Sequence, residues 1–358
     1  MQLATVFSGI GAPEQACRKI YGVNGFNIVF ACDNGEIEIP QTYEQILELI
    51  KNKTNDDAQN FISKIYSLKK ENLVKKSYLA NYSIVNNQWF EDIRFLNGKK
   101  FKNQIDLLVG GSPCQSFSAM GHRGGLEDAR GTLFYNYAKL IKDSKPRFFI
   151  YENVPGMLTI DGGQTWIKIK DIFDSLGYHF YPTILDSQNY GIPQKRNRLY
   201  VVGIRKDISK IPFIFPKPQP LETTAFDYLE KEVDPKYYFK KVGFKFVSTH
   251  PSRAKINQKI IRTEKANQQF NWNGNFIFEK YNEKRHDSAI KNGAYLGEYN
   301  GEKGLIRKLT PRECLNLMGF GDFNIVVSDH YAYRQAGNSM VVNVMEAIIR
   351  KLIKEYKL

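Results

Sequence analysis

Cys114 has the neighbours that a nucleophile needs. It follows Pro113 in GGSPCQSFSAMG, Gly110 to Gly121, where the apolar run IDLLVG gives way to a loop of glycine, serine and proline. A thiol in such a loop is exposed and reactive, whereas an isolated cysteine is ordinarily a small buried hydrophobe. In YENVPGM, Tyr151 to Met157, Glu152 sits at the mouth of the apolar strand FFIY. A carboxyl so placed tends to a raised pKa and can donate a hydrogen bond to a base ring nitrogen. QNYGIPQKRNRLYVVGI, Gln188 to Ile204, sets Arg196 and Arg198 on the same side of an extended segment, where two guanidinium groups can clamp a carboxylate, a phosphate or a base carbonyl.

Other polar positions suit a nucleotide-like ligand. FSGIGAPE, Phe7 to Glu14, follows a strand and opens a helix, and its small residues let the backbone approach such a ligand. Asp33 ends a second strand, where a carboxylate accepts hydrogen bonds from ribose hydroxyls; Asp92 in FEDIRF ends the next element at a position suited to an adenine amino group. Singly these signals are weak, because the glycine spacing departs from G-x-G-x-x-G and strand-end carboxylates are also common solvated caps.

The elements that must position these residues are short strands alternating with helical stretches from residue 1 to about 204. LATVFS, NIVFAC, IDLLVG, RFFIYE and NRLYVVGI read as the strands of a doubly wound α/β sheet. In such sheets ligands collect at the carboxyl ends of the strands. The polar, lysine-rich stretch 36–88 reads as a mostly helical insertion whose charges form a solvated face. After Arg205, IPFIFPKPQP reads as an extended linker, and from there to about Lys303 aromatic residues interleave with cations. That region reads as a smaller, irregular, β-rich lobe with Tyr237, Tyr238, Phe244 and Trp272 in its core. LTPRECLNLMGF, by the spacing of Leu309, Cys314, Leu317 and Met318, reads as a packing helix in which Cys314 is structural, and an amphipathic helix from about Ser339 to Glu355 closes the chain.

With 358 residues, 42% of them apolar, the chain can bury one large core and carry a second lobe. A net charge of +14 favours a polyanionic partner, nucleic acid first. The four cysteines, Cys17, Cys32, Cys114 and Cys314, show no CxxC or CxxH pairing, so neither a metal site nor a disulfide framework is expected, and a reducing compartment fits. The start lacks the pattern of a signal peptide, and no run approaches the roughly 20 apolar residues that span a bilayer. A cytoplasmic protein without membrane contact is expected.

In order along the chain, FSGIGAPE, PCQSFS, ENVPGM, QKRNR, LTPRECLNLMGF and QAGNSM resemble the motifs of the carbon-5 cytosine-specific DNA methyltransferases of bacterial restriction-modification type. Only the stretch from about Lys206 to Lys303 lacks such motifs. The resemblance implies a Rossmann-like S-adenosylmethionine-dependent catalytic domain over 1–204 and 326–358. A target-recognition domain would span 205–325, with a hinge-side helix near 309–320. Phe7, Ser8, Gly9, Ile10 and Gly11 would cradle S-adenosylmethionine, with Asp33 on the ribose, Asn34 beside the adenine, and Asp92 and Ile93 on the adenine edge. Gly111, Pro113 and Leu133 would complete the pocket, and Asn338 and Ser339 would approach the amino-acid end.

The chemistry implied is transfer of the methyl group to carbon-5 of a cytosine rotated out of the double helix, with S-adenosylhomocysteine as product. Cys114 would add to carbon-6, Glu152 would hydrogen-bond ring nitrogen-3, and Arg196 and Arg198 would hold the base carbonyl and order the cysteine loop. Ser118, His122 and Arg123, in a glycine-hinged loop over 116–131, would face DNA, as would Arg253, Arg262, Asn271 and Asn273 in the second lobe. Partners implied are double-stranded DNA and a restriction endonuclease acting on the same sequence without direct contact. A monomer is expected, from a prokaryote or a phage. Alternatives are a transfer-RNA cytosine-5 methyltransferase, a catalytically silent DNA-binding paralogue and, more distantly, a nicotinamide-dependent oxidoreductase.

Overall fold

The computed structural model describes residues 1–113, 133–270 and 272–358. The chain divides into two compact units: 1–185, 197–217 and 344–358 make the first, and 186–196 and 218–343 the second. The divisions drawn from sequence fell at 204/205 and 325/326.

In the first unit β1 (Gln2–Val6) leads into α1 (Ala12–Tyr21), where a proline in the first turn, Glu14 near the start, and Arg18 and Lys19 near the end match the fixed φ and the dipole of a helix. After β2 (Asn27–Cys32) the insertion forms α2 (Tyr43–Ile50), α3 (Asn55–Lys69) and α4 (Leu73–Leu79), whose first free N–H groups are taken by the side chains of Thr42, Thr54 and Asn72. There follow β3 (Trp89–Phe90), β4 (Leu107–Gly110), α5 (Leu133–Ser144), β5 (Phe148–Asn153), α6 (Gln164–Ser175), β6 (Tyr178–Asp186) and, after the two-residue β7 (Gln194–Lys195) of the second unit, β8 (Asn197–Arg205).

Seven strands form one sheet in the order β3-β2-β1-β4-β5-β8-β6. Pairing is parallel from β3 through β5, and β8 runs antiparallel to β5. The order reverses between β1 and β4, the switch point beside which open α/β sheets bind their ligands. β4 is buried at every position and β5 at every position but Glu152, as expected of strands covered on both faces. α5 and α6 contribute Phe134, Tyr137, Ile169 and Phe173 to a core that includes Phe149 and Tyr151. β6 has no counterpart in the sequence reading. Its burial is largely intermediate and Pro182 interrupts it, so it lacks the clean apolar run of its neighbours.

The second unit contains α7 (Lys241–Thr249), β9 (Lys255–Ile256), β10 (Ile261–Arg262), β11 (Asn275–Lys280), α8 (Glu283–Lys291), β12 (Gly297–Tyr299), β13 (Glu302–Lys308), α9 (Pro311–Asn316) and α10 (Asp329–Asn338). β12-β13-β11-β9 form a four-stranded sheet, and β10 pairs with β7. Its core holds Phe239, Phe244, Val247, Phe276, Phe278 and Ile306. Tyr238 and Phe244 are buried, but Trp272, expected in the core, is 43% exposed and lies over Phe239 and Phe246 with centroids 5.5 and 5.0 Å away.

Arg307 in β13 is wholly buried, donating to Glu313 at 2.8 and 2.9 Å and to Glu279 at 2.7 Å. The expected packing helix is the short α9, opened by a reciprocal Thr310–Glu313 cap, with Leu309, Cys314, Leu317 and Met318 all buried. α11 (Val342–Tyr356) closes the chain and starts later than expected, because α10 ends at Asn338. Tyr356 packs on Phe148 and on Phe213 of the proline strip, so that strip is packed chain and not a free linker. Among the described residues no helix is long and apolar enough to cross a membrane.

Candidate active site

Cys114, Ser118, His122, Arg123 and Asn271 lie outside the described residues. The ends of β4 and β5 are tied together by Asn153, whose Nδ2 donates to Ser112 O and to Tyr151 Oη, both at 2.9 Å, while Ser112 Oγ meets Tyr151 Oη at 2.8 Å. This fixes the chain beside the half-buried Gly111 and the exposed Pro113; Leu133, half-buried, opens α5. Glu152 Oε1 lies 3.2 Å from Arg198 Nε on the neighbouring β8, and Arg198 Nη1 donates to Asn197 O at 2.8 Å. An acid and a guanidinium thus stand paired at the carboxyl end of β5, both largely screened from solvent.

Arg196 does not do what its spacing from Arg198 implied. Its guanidinium is buried and donates to Glu264 O at 2.9 Å, Gly337 O at 2.9 Å and Ser339 O at 2.8 Å, clamping main-chain carbonyls of its own unit in place of a substrate oxygen. The alternation fails because extended pairing is broken at Arg196, between β7 and β8. Asn338 is exposed, and Ser339 is buried with its Oγ donating to Met340 O at 3.1 Å.

Gly337 belongs to this clamp. A Cβ there would stand 2.3 Å from Lys265 C and 2.4 Å from Ala266 N, both main-chain atoms that cannot swing aside. Gly337→Ala is expected to destabilise the protein by about 1–3 kcal/mol, read as a lower denaturant midpoint; an unchanged midpoint would show that the segment yields freely.

Glu264 is a second buried group at the clamp. Burial pushes its carboxyl up to about 8, against the pull of the Cys314 thiol and the Arg196 guanidinium. The folded state therefore favours its protonated form, and the stability it contributes is full below about 4.3 and lost as pH rises through the folded value. Melting temperature is expected to fall between pH of about 5 and about 9, and to fall less in Glu264→Gln; parallel curves for the two proteins would remove Glu264 from the account.

At the end of β1, Phe7 and Gly9 both take φ of 53° and Gly11 79°, a left-handed path. Ser8 binds across to β2: its N–H donates to Cys32 O at 3.1 Å and its Oγ accepts from Cys32 N at 2.9 Å, while Ile10 is buried. Asp33 accepts Gly9 N at 2.9 Å and Gly35 N at 2.8 Å, which restrain a pKa that burial raises. Asn34 Oδ1 accepts from Glu36 N at 3.0 Å. A Cβ on Gly11 would fall 2.3 Å from the Tyr82 ring, whereas one on Gly9 would meet nothing within 4 Å. Gly11 is therefore fixed by packing, and Gly9 faces open space that a ligand can fill.

Asp92 also departs from expectation. Its two oxygens accept from Tyr66 Oη at 2.6 Å, from Arg94 N at 2.9 Å, from Arg94 Nε at 3.0 and 2.9 Å and from Arg94 Nη2 at 2.5 Å. That many donors saturate a carboxylate and leave it no lone pair for an adenine amino group; Ile93 beside it is buried. In the second unit Arg262 Nη1 donates to Arg253 O at 3.3 Å and Asn273 Oδ1 at 3.2 Å, which ties Arg262 and Asn273 to each other, while Arg253 is exposed. Sequence reasoning did not single out Asn153, Glu14, Tyr66, Asn72, Tyr78 or Tyr82. The tyrosines stand out in retrospect as bulky exceptions in a lysine-rich stretch. Among the described residues no cluster of histidine, cysteine and acid is arranged to hold a metal ion.

A mostly parallel sheet, with a left-handed glycine loop after its first strand and an acid closing its second, defines a Rossmann-like domain. Residues 57–354 match the C-5 cytosine-specific DNA methylase family, and the chain belongs to that family. Its similarity to the type II methyltransferase M.SsoII of Shigella sonnei is 36% identity over 304 residues, covering 82% of this chain and 75% of that protein. M.HhaI of Haemophilus parahaemolyticus is 35% identical over 272 residues, covering 72% and 78%. Among solved structures, DNMT2 of Spodoptera frugiperda superposes with a TM-score of 0.67 at 19% identity, covering 98% of this chain and 99% of that one. The Dnmt2 methyltransferase of S. pombe gives 0.66 at 19% identity, with full coverage of both. At those identities the likeness is one of fold.

Proposed function

We propose that this protein transfers a methyl group from S-adenosylmethionine to carbon-5 of cytosine within one short sequence of double-stranded DNA. It acts as the monomeric modification component of a restriction-modification system, on a base rotated out of the helix. The observation that carries the reading is the Glu152–Arg198 pair, 3.2 Å apart at the carboxyl end of β5, in a chain of this family. The first unit is the catalytic and cofactor-binding domain. The second, with its exposed Arg253, reads the target, and the net charge of +14 suits the DNA backbone.

The cofactor fits the residues present. The open space over Gly9 and the half-buried Asp33 suit a ribose-bearing ligand approached closely by backbone. Phe7 to Gly11, Asp33, Asn34, Ile93, Gly111, Pro113 and Leu133, all of the first unit, would hold it. S-adenosylmethionine supplies an electrophilic methyl group on a sulfonium.

Cytosine carbon-5 is a poor nucleophile until the ring is activated. The Cys114 thiolate forms a bond to carbon-6, and Glu152 donates a proton or hydrogen bond to ring nitrogen-3, so that carbon-5 becomes enamine-like and would take up the methyl group, S-adenosylhomocysteine leaving as the methyl–sulfur bond breaks. Arg198 orients Glu152, holds the base carbonyl and favours the Cys114 thiolate. A water then removes the carbon-5 proton, the sulfur–carbon-6 bond breaks, Cys114 returns as thiolate, and Glu152 takes back any proton it gave to ring nitrogen-3.

Tritiated S-adenosylmethionine, incubated with the protein and either unmethylated genomic DNA or bulk transfer RNA, tests this. Label in DNA cytosines that bisulfite sequencing places in one recurring word is the expected result. Label in transfer RNA alone would move the substrate to RNA, and label in neither would leave a binding scaffold.

A further inference from the structure

The insertion between β2 and β3 has no role in the chemistry above, yet its buried polar side chains reach the loops after β1, β2 and β3. From α3, Tyr66 Oη donates to Asp92 at 2.6 Å and Ser63 Oγ to Glu91 at 3.3 Å. Asn72 uses its Oδ1 to cap α4 and its Nδ2 to donate to Asp33 O and to Glu91 Oε2, both at 2.9 Å. Lys75 Nζ adds a bond to Glu91 Oε1 at 2.9 Å. Tyr78 Oη donates to Glu14 Oε1 in α1 at 2.8 Å, and Tyr82 Oη to Gly11 O at 2.8 Å. Tyr66, Asn72, Tyr78 and Tyr82 are all buried.

These contacts fall at the ends of β1, β2 and β3, three of the four strands whose loops are assigned to the cofactor. A merely solvated helical insertion would bury apolar faces and leave such polar atoms at the surface. We infer that α3 and α4 are a positioning element: Asn72, Tyr66 and Tyr82 set the spacing of the Gly11, Asp33 and Asp92 loops and so the affinity for S-adenosylmethionine. The inference rests on the cofactor reading above. It also gives the saturated Asp92 a task, holding the turn at Ile93 against α3.

Asn72 is the hub, because one amide joins two loops and caps a helix. Asn72→Asp keeps the cap but replaces the donor with an acceptor facing Asp33 O and the Glu91 carboxylate. Tyr82→Phe and Tyr66→Phe each delete one hydroxyl and nothing else.

Titration calorimetry with S-adenosylhomocysteine, without DNA, reads affinity directly, and steady-state kinetics separate KM for S-adenosylmethionine from kcat and from KM for DNA. Asn72→Asp is expected to weaken S-adenosylhomocysteine binding about tenfold or more, and each phenylalanine variant about 2- to 10-fold, as the loss of one hydrogen bond implies. KM for S-adenosylmethionine rises in step, while kcat and KM for DNA stay within about twofold, the signature of lost ground-state binding. Variants that melt earlier but bind as the parent does would reduce the insertion to a brace and overturn the inference. An equal loss in kcat and in both KM values would overturn it too, as general loosening. If Asn72→Asp shows no cooperative melt, the two phenylalanine variants decide by the same criterion. A parent protein that binds no S-adenosylhomocysteine would instead remove the cofactor reading itself.

Discussion

Cys114→Ser is expected to lower methyl transfer by on the order of 10⁴- to 10⁶-fold, the scale of loss when a covalent nucleophile alone is removed. A thiol with a pKa of about 8.5 is a few per cent thiolate at neutral pH and intrinsically nucleophilic. A serine hydroxyl needs a strong base beside it. Glu152, paired with Arg198 at 3.2 Å, is assigned to the cytosine ring and is far too weak a base for that task. Single-turnover transfer of tritium to DNA measures the loss. A second readout isolates the adduct: cytosine carrying fluorine at carbon-5 has no proton to release there, so the parent protein should remain covalently joined to such DNA after denaturation, and Cys114→Ser should not. Activity within about tenfold of the parent would exclude a covalent role for Cys114.

Arg307→Met is expected to destabilise the protein by about 3–5 kcal/mol, the cost of breaking a buried ion pair from one side. Arg307 is wholly buried between two acids that have other duties. Glu313 also accepts Thr310 N at 2.8 Å and Glu230 N at 3.0 Å, and Glu279 accepts Tyr238 Oη at 2.8 Å. Burial raises Glu279, but Arg307 and the hydrogen bonds around it prevail and hold it below the usual carboxylate range. Without Arg307 both carboxylates stay buried with their strongest partner gone. Guanidinium unfolding of the parent and the variant measures the difference; a shift below about 1 kcal/mol would mean that water or a neighbouring cation takes over the pairing.

The strands β1, β2, β4, β5 and β8 could be read from sequence because each contains a short apolar run, and burial on both faces makes such runs continuous. Glu152 was legible for the same reason, as the polar interruption at the end of a buried strand. What escaped the sequence depends on partners far away along the chain. Nothing near Arg196 reveals the carbonyls of Glu264, Gly337 and Ser339 that claim its guanidinium. Nothing near Asp92 reveals Tyr66. Arg262 was read as a DNA contact from its charge, but its nearest acceptors belong to its own lobe. Alternation along a strand predicts sides, not partners, and it predicts sides only while the strand continues.

Residues 186–196 belong with the second unit although the chain then returns through 197–217 to the first. That short piece is knitted in by the pairing of Gln194 and Lys195 with Ile261 and Arg262 and by the Arg196 clamp. With the second unit as the proposed target-recognition lobe, recombination between relatives that exchanged only 218–343 would graft that lobe onto a foreign edge strand and a foreign arginine anchor. On that reading, a chimaera with a new sequence preference would have to inherit two separated stretches of gene together.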